Sequence, residues 1–152
     1  MPRYLLPTLL LALTMGTGSN ALQAQMNPAP AHPELRAVFD DFGGREGIAA
    51  LMEDTMTRLL ADPRTRPFFE FADHIEVERH LTDQVCVILG GDCVYDGRTM
   101  LESHESLDIR TADFNALVEI LQDAMQARGI AFSSQNALLA KLAPLHREIV
   151  TR

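Results

Sequence analysis

Two pairs of adjacent glycines, Gly43-Gly44 and Gly90-Gly91, constrain this chain more than any other feature, because each permits a sharp reversal between helices. Before the first pair, Leu35 to Phe42 reads as a short helical piece. After it, from Glu46 to Leu60, Ile48, Met52, Met56 and Leu59 recur at helical spacing on one face. Asp62-Pro63 stops that helix, and Pro67-Phe68-Phe69-Glu70-Phe71 puts three aromatics into a tight corner. The next helix runs from about Ile75 to Leu89 and ends at Gly90-Gly91. Val77, Leu81, Val85 and Ile88 form its stripe, with Arg79, Asp83 and Gln84 away from it and His80 on its shoulder.

Tyr95 to Met100 is irregular around Gly97, and a short helix around Leu101 to Ser106 carries His104. Thr111 is the expected N-cap of a helix that buries Phe114, Leu117, Val118, Leu121 and Met125 and ends at Gly129. Ser133 or Ser134 is the expected cap of a last helix bearing Leu138, Leu139, Leu142, Leu145 and Ile149, kinked or restarted at Pro144. No stretch alternates with period two long enough to demand a strand. The expectation is an all-α domain without internal repeats.

The first residues are set apart from the fold. Arg3 supplies a minimal positive region, Tyr4 to Met15 is apolar apart from Pro7 and two threonines, and small or polar residues follow from Gly16 to Asn20. That is the layout of a secretory signal peptide over residues 1–24, and the run is too short for a membrane span, which needs about 20 residues. An uncleaved anchor is the alternative. Removal after Ala24 is preferred, although Ser19-Asn20-Ala21 fits the small-x-small rule better. Residues 25–34 hold three prolines and read as a flexible mature tail, leaving 35–152 as the domain. The implied location is the periplasm of a bacterium.

Cleavage removes one charge, that of Arg3, and leaves 12 basic and 21 acidic residues, a net charge of −9. Lys141 is the single lysine and there is no basic run, which argues against nucleic acid and anionic membrane as partners. After signal cleavage no stable membrane insertion is expected. In an oxidising compartment Cys86 and Cys93, seven apart around Gly90-Gly91, can form a bridge worth about 2–3 kcal/mol; two buried free thiols are the alternative. The spacing fits neither a thioredoxin-like dithiol nor covalent c-type haem attachment. His74 and His146 lack partners at zinc-site spacing, and the methionines Met52, Met56, Met100 and Met125 read as core.

Taken alone, His104 is a solvated helix residue more often than a ligand. Its context changes that weighting. Met100 lies one turn before it, Leu107 follows, and Ile109 and Phe114 come just after, so apolar groups can shield one face of a macrocycle while His104 supplies an axial nitrogen. Glu105 and the Met100 carbonyl are the candidate acceptors that fix its tautomer.

Over Val38 to Val150 the chain resembles the group 1 truncated haemoglobins. The resemblance rests on Phe42-Gly43-Gly44, on Leu60-Ala61-Asp62-Pro63 followed by Phe68-Phe69, and on Leu89-Gly90-Gly91. Its most specific part is Tyr95-x-Gly97-Arg98-x-Met100-x-x-x-His104-x-x-Leu107-x-Ile109, with Phe114 after it. It implies the two-over-two globin sandwich, haem b as cofactor, His104 as proximal iron ligand, and Phe69 packed on the haem. Val77, Leu81, Met100, Leu107, Ile109, Phe114 and Val118 would line the pocket. His80 falls where family members contact a propionate or bring in a second axial ligand, and Arg98 and Arg79 are further propionate candidates.

The departures bear on function. The family's frequent Phe-Tyr pair falls on Thr55 and Met56, and its usual distal glutamine on Leu81, so the distal group Thr55, Met56, Val77 and Leu81 is nearly all apolar. The resemblance implies reversible binding of a diatomic gas (O2, NO or CO), with oxygen transport as the default. The alternatives are a redox, NO-detoxifying or gas-sensing haem protein using His80 as sixth ligand and an unidentified electron donor, or a cofactor-free helical interaction module. Whether NO dioxygenase or peroxidase-like catalysis adds to ligand binding is left open.

Overall fold

A computed structural model of the chain describes residues 29–152. The expected signal peptide, its cleavage positions at Ala21 and Ala24, and residues 25–28 of the expected tail lie outside the described residues. Eight α-helices are described: α1 (Arg36–Asp41), α2 (Gly44–Ala61), α3 (Arg66–Phe69), α4 (His74–Ile88), α5 (Met100–His104), α6 (Thr111–Ala127), α7 (Phe132–Leu142) and α8 (His146–Ile149). Short 3-10 turns at Pro33–Leu35 and Ala143–Leu145 complete them, and no strand occurs among the described residues. Pro144 therefore marks a 3-10 turn between two helices, one of the two outcomes the sequence allowed.

Helix α2 packs most extensively on α4 and α6, and α7 closes against α4 and α6, giving the two-over-two sandwich. Its apolar face works as the spacing requires: Ile48, Leu51, Met52, Met56 and Leu59 are all buried. Ile48, Leu51 and Leu59 are fully enclosed, and each contributes about 2 kcal/mol of burial free energy. The four methionines read as core are buried, as expected.

Both glycine pairs turn the chain as anticipated. Gly43 and Gly44 take φ of 81° and 67°, and Gly90 takes φ of 76°. Gly90 is doubly constrained, because a Cβ there would stand 2.8 Å from the His32 carbonyl oxygen. That contact shows the segment before α1 lying on the body. Ala29 is in the core cluster, and Lys141 Nζ lies 3.2 Å from His32 Nδ1 and 3.5 Å from Glu34. Within residues 29–34, expected as part of a flexible tail, Ala29 is thus buried and Pro30 and His32 are partly covered, while Ala31, Pro33 and Glu34 are exposed.

Other expectations shift at the helix ends. Thr111 is the first residue of α6, not its cap; Arg110 holds the cap position, and its N–H donates to the Asp113 carboxylate at 2.9 Å. Helix α7 starts at Phe132 with Ala131 at the cap. Ser134 instead lies inside α7, buried, with its hydroxyl on Asp41 at 2.6 Å. A long-range acceptor on α1 outcompetes the local capping role that serine usually takes.

Asp83 and Gln84, expected on the polar side of α4, are 7% and 5% exposed. Two arginines neutralise Asp83: Arg45 Nη2 donates at 2.8 Å and Arg79 Nη1 at 3.3 Å. Gln84 Nε2 donates to the Met100 sulfur at 3.7 Å. Helix α4 buries more than one stripe because it is covered by α2, by α7 and by the loop that leads to Met100.

Candidate functional site

The site starts from a short helix that the sequence fixes locally. Thr99 caps α5 in a reciprocal arrangement: its Oγ1 accepts the Glu102 N–H at 3.2 Å, and its own N–H donates to Glu102 at 3.0 Å. The Thr99 hydroxyl, which donates to the Glu102 carboxylate at 2.8 Å, and after it the Thr99 N–H hold the Glu102 carboxyl below its usual range. Upstream, Tyr95 donates its hydroxyl to the Arg98 carbonyl at 2.8 Å, and a side chain at Gly97 would run into the Tyr95 ring. The tyrosine and glycine of the motif are therefore one packed turn that delivers the chain to α5.

His104 closes that helix. Its Nδ1 lies 2.6 Å from the Met100 carbonyl oxygen, and because a carbonyl only accepts, Nδ1 carries the proton. Nε2 is left with its lone pair, the form in which imidazole ligates a metal. Met100, and not Glu105, is the tautomer-fixing acceptor. Burial pushes the His104 imidazole below the ordinary value of 6.5, the Met100 carbonyl pulling the other way with smaller effect.

A pH dependence follows. Between the lowered folded value and 6.5 the unfolded chain protonates this residue and the folded chain does not. The stability of the haem-free protein should therefore decline as pH falls from 6.5 towards the folded value, and level off below it. An NMR titration should place the His104 midpoint below 6.5, and a midpoint above it would contradict the burial seen here.

The uncharged positions assigned to the pocket fall into two groups. Thr55, Met56, Met100 and Ile109 are buried. Phe69 on α3, Val77 and Leu81 on α4, and Phe114 and Val118 on α6 are only half-buried, and Leu107 is 38% exposed. Large apolar side chains left half-covered on three helices, together with a half-buried imidazole whose Nε2 keeps its lone pair, suit a flat apolar group with one metal position. The residues present fit haem on both counts. Thr55 adds no distal hydrogen bond, because its hydroxyl donates to the Leu51 carbonyl at 2.7 Å within α2.

His80 is held on the outer flank of α4. Its Nε2 is 3.0 Å from Glu76, its Nδ1 is 3.6 Å from Asp96, and its ring meets the edge of Tyr95 at 5.8 Å between centroids. Arg79 binds Glu76, Asp83 and Asp96, so meeting a propionate would exchange one carboxylate for another. Arg98 is exposed. Cys86 and Cys93 form a disulfide with Cα atoms 6.0 Å apart, which ties the buried end of α4 to the loop bearing Tyr95 and Asp96.

Three participants were missed from sequence. Gln84 and Asp83 were placed on the wrong face, and the segment after α8 was given no role although Thr151 and Arg152 bond to Ile109. The four-residue spacing of Gln84 from His80 was visible, but nothing local said that a methionine sulfur would lie opposite it.

Known proteins agree with this geometry. The group 1 truncated haemoglobin GlbN of Mycolicibacterium paratuberculosis is 28% identical over 118 residues, 78% of this chain and 87% of that protein. GlbN of Nostoc commune is 24% identical over 118 residues and is covered completely. Among solved structures, the Fe(III) truncated haemoglobin of Tetrahymena pyriformis superposes with a TM-score of 0.72 at 23% identity, covering 76% of this chain and 98% of that one. The model of the family described as bacterial-like globin matches residues 37–151. The chain belongs to the bacterial-like globin family, and its cofactor is haem.

Proposed function

We propose that this globin binds a diatomic gas (O2, NO or CO) reversibly at haem b, with His104 as the proximal ligand. The observation that carries the reading is the His104 tautomer, with Nδ1 bonded to the Met100 carbonyl at 2.6 Å and Nε2 left for iron. Bound haem supplies an iron centre with a coordination position open to a small neutral ligand. The chain's part is to orient the imidazole and to exclude water with Met56, Val77, Leu81 and Phe69. The relatives' name, truncated haemoglobin, supports oxygen binding as the first assignment.

The distal side tempers it towards NO and CO. Met56, Val77 and Leu81 offer no donor, and Thr55 has spent its hydroxyl inside α2. A ligand that relies on a distal hydrogen bond forgoes about 1–2 kcal/mol, roughly tenfold in affinity. A second reading, a redox, NO-detoxifying or sensing role fed by an electron donor, is favoured by His80, which shares α4 with Val77 and Leu81 and is held by exposed carboxylates.

Reconstitution with haem tests both readings. The expected result is a Soret band that shifts on adding CO to the ferrous protein; a chain that stays colourless with haem present would end the gas-binding reading. If His80 ligates, ferric wild type shows a low-spin fraction that His80→Ala loses, and identical spectra exclude it. Export to an oxidising compartment is part of the proposal, supported by the Cys86–Cys93 bridge and the pattern of residues 1–24. Fractionation of cells expressing the full chain tests it.

A further inference from the structure

Five residues after His104 the chain is fastened by a segment far away in sequence. The Ile109 carbonyl accepts the N–H of Thr151 at 2.9 Å and of Arg152 at 3.1 Å. In return the Ile109 N–H donates to Thr151 Oγ1 at 3.1 Å, across 42 positions of sequence. Ile109 is 7% exposed, so this polar backbone is largely withdrawn from water and depends on those partners.

The link between His104 and this clasp is strained. Leu107 N–H donates to the His104 carbonyl at 3.0 Å. Asp108 then adopts φ of 51°, the only left-handed non-glycine among the described residues. Aspartate tolerates that region better than most side chains, yet it persists only where neighbours impose it. Downstream, Arg110 N–H is pinned on Asp113 at 2.9 Å, and α8 packs directly on α5 and α6. Residues 105–110 thus form a short bent link, held at Ile109 by the clasp and ending at the histidine.

We propose that Thr151 is a positioning residue for His104: its hydroxyl oxygen holds Ile109, Ile109 holds the left-handed Asp108, and that bend sets the orientation of the imidazole. The inference rests on His104 as haem ligand. Thr151 bonds to Ile109 and not to His104, so its effect is transmitted through the link. Without the Oγ1 acceptor the Ile109 N–H loses its partner, the bend can relax, and the carbonyl of His104 is no longer anchored through Leu107.

The test uses full-length haem-loaded protein with Thr151→Val, which keeps the shape and removes the acceptor, and Thr151→Ser, which keeps the acceptor. Two readouts are the iron–histidine stretching band of the ferrous protein and the rate of haem transfer to excess apomyoglobin. Thr151→Val should shift the band and speed haem loss about tenfold, while Thr151→Ser stays near wild type. A band unchanged in Thr151→Val overturns the proposal, even if haem loss quickens. Absence of any such band in both wild type and His80→Ala, where no sixth ligand from that position suppresses it, would instead overturn the ligation reading, so the two failures are told apart.

Discussion

Replacing His104 by alanine is expected to lower haem affinity at least about a hundredfold, since loss of a partner behind a metal ligand alone costs 10–100-fold. The argument is local. His104 is the residue whose Nδ1 is already committed, to the Met100 carbonyl at 2.6 Å, and whose burial keeps it neutral. Removing it takes away the one basic nitrogen that α5 presents among half-buried apolar side chains. A hundredfold loss corresponds to about 2.7 kcal/mol of ligand-linked stability at saturating haem. Haem-free stability should change by no more than about 1 kcal/mol, because one hydrogen bond is lost from an end residue of a five-residue helix. Haem titration followed by absorbance, with thermal melts in the presence and absence of haem, measures both. Affinity equal to wild type would move the ligand role to another histidine, with His80 the first to examine.

The second large effect concerns Cys86 and Cys93. Changing both to alanine should cost about 3 kcal/mol, most of it the loop-closure entropy of a short bridged loop. For a domain of this size that is a fall of about 10 °C in the melting midpoint. Alanine is the suitable replacement because Cys86 is fully buried, and a serine hydroxyl there would lack water. Dithiothreitol should lower the midpoint of wild type to nearly that of the double variant and leave the variant unchanged. Equal midpoints for all samples would mean the bridge contributes nothing. The bridge also fixes the loop that carries Tyr95 and Asp96, both of which touch His80. Its loss should therefore loosen His80 before it disturbs α5, whose start is held separately by Thr99 and Glu102.

Legibility followed the range of the interactions. Helix α2 could be read almost to its ends because Ile48, Met52, Met56 and Leu59 report one buried face by their spacing alone. The cap of α7 could not, because Ser134 has a better acceptor in Asp41, 93 residues away. Helix α4 shows both cases. Its apolar stripe was visible, but the burial of Asp83 depends on Arg45 from α2, and that of Gln84 on Met100 from α5.

By itself the sequence determined the main helical segments, the two glycine reversals and the capped turn from Tyr95 to His104, because each is set mainly by neighbours within a few residues. Only the tertiary structure decided that Cys86 meets Cys93, that His80 rests outward on Glu76, Asp96 and Tyr95, and that Thr151 clasps Ile109. Those outcomes depend on which of several competing polar partners the packed helices bring within hydrogen-bond reach, and periodicity along the chain carries no record of that choice.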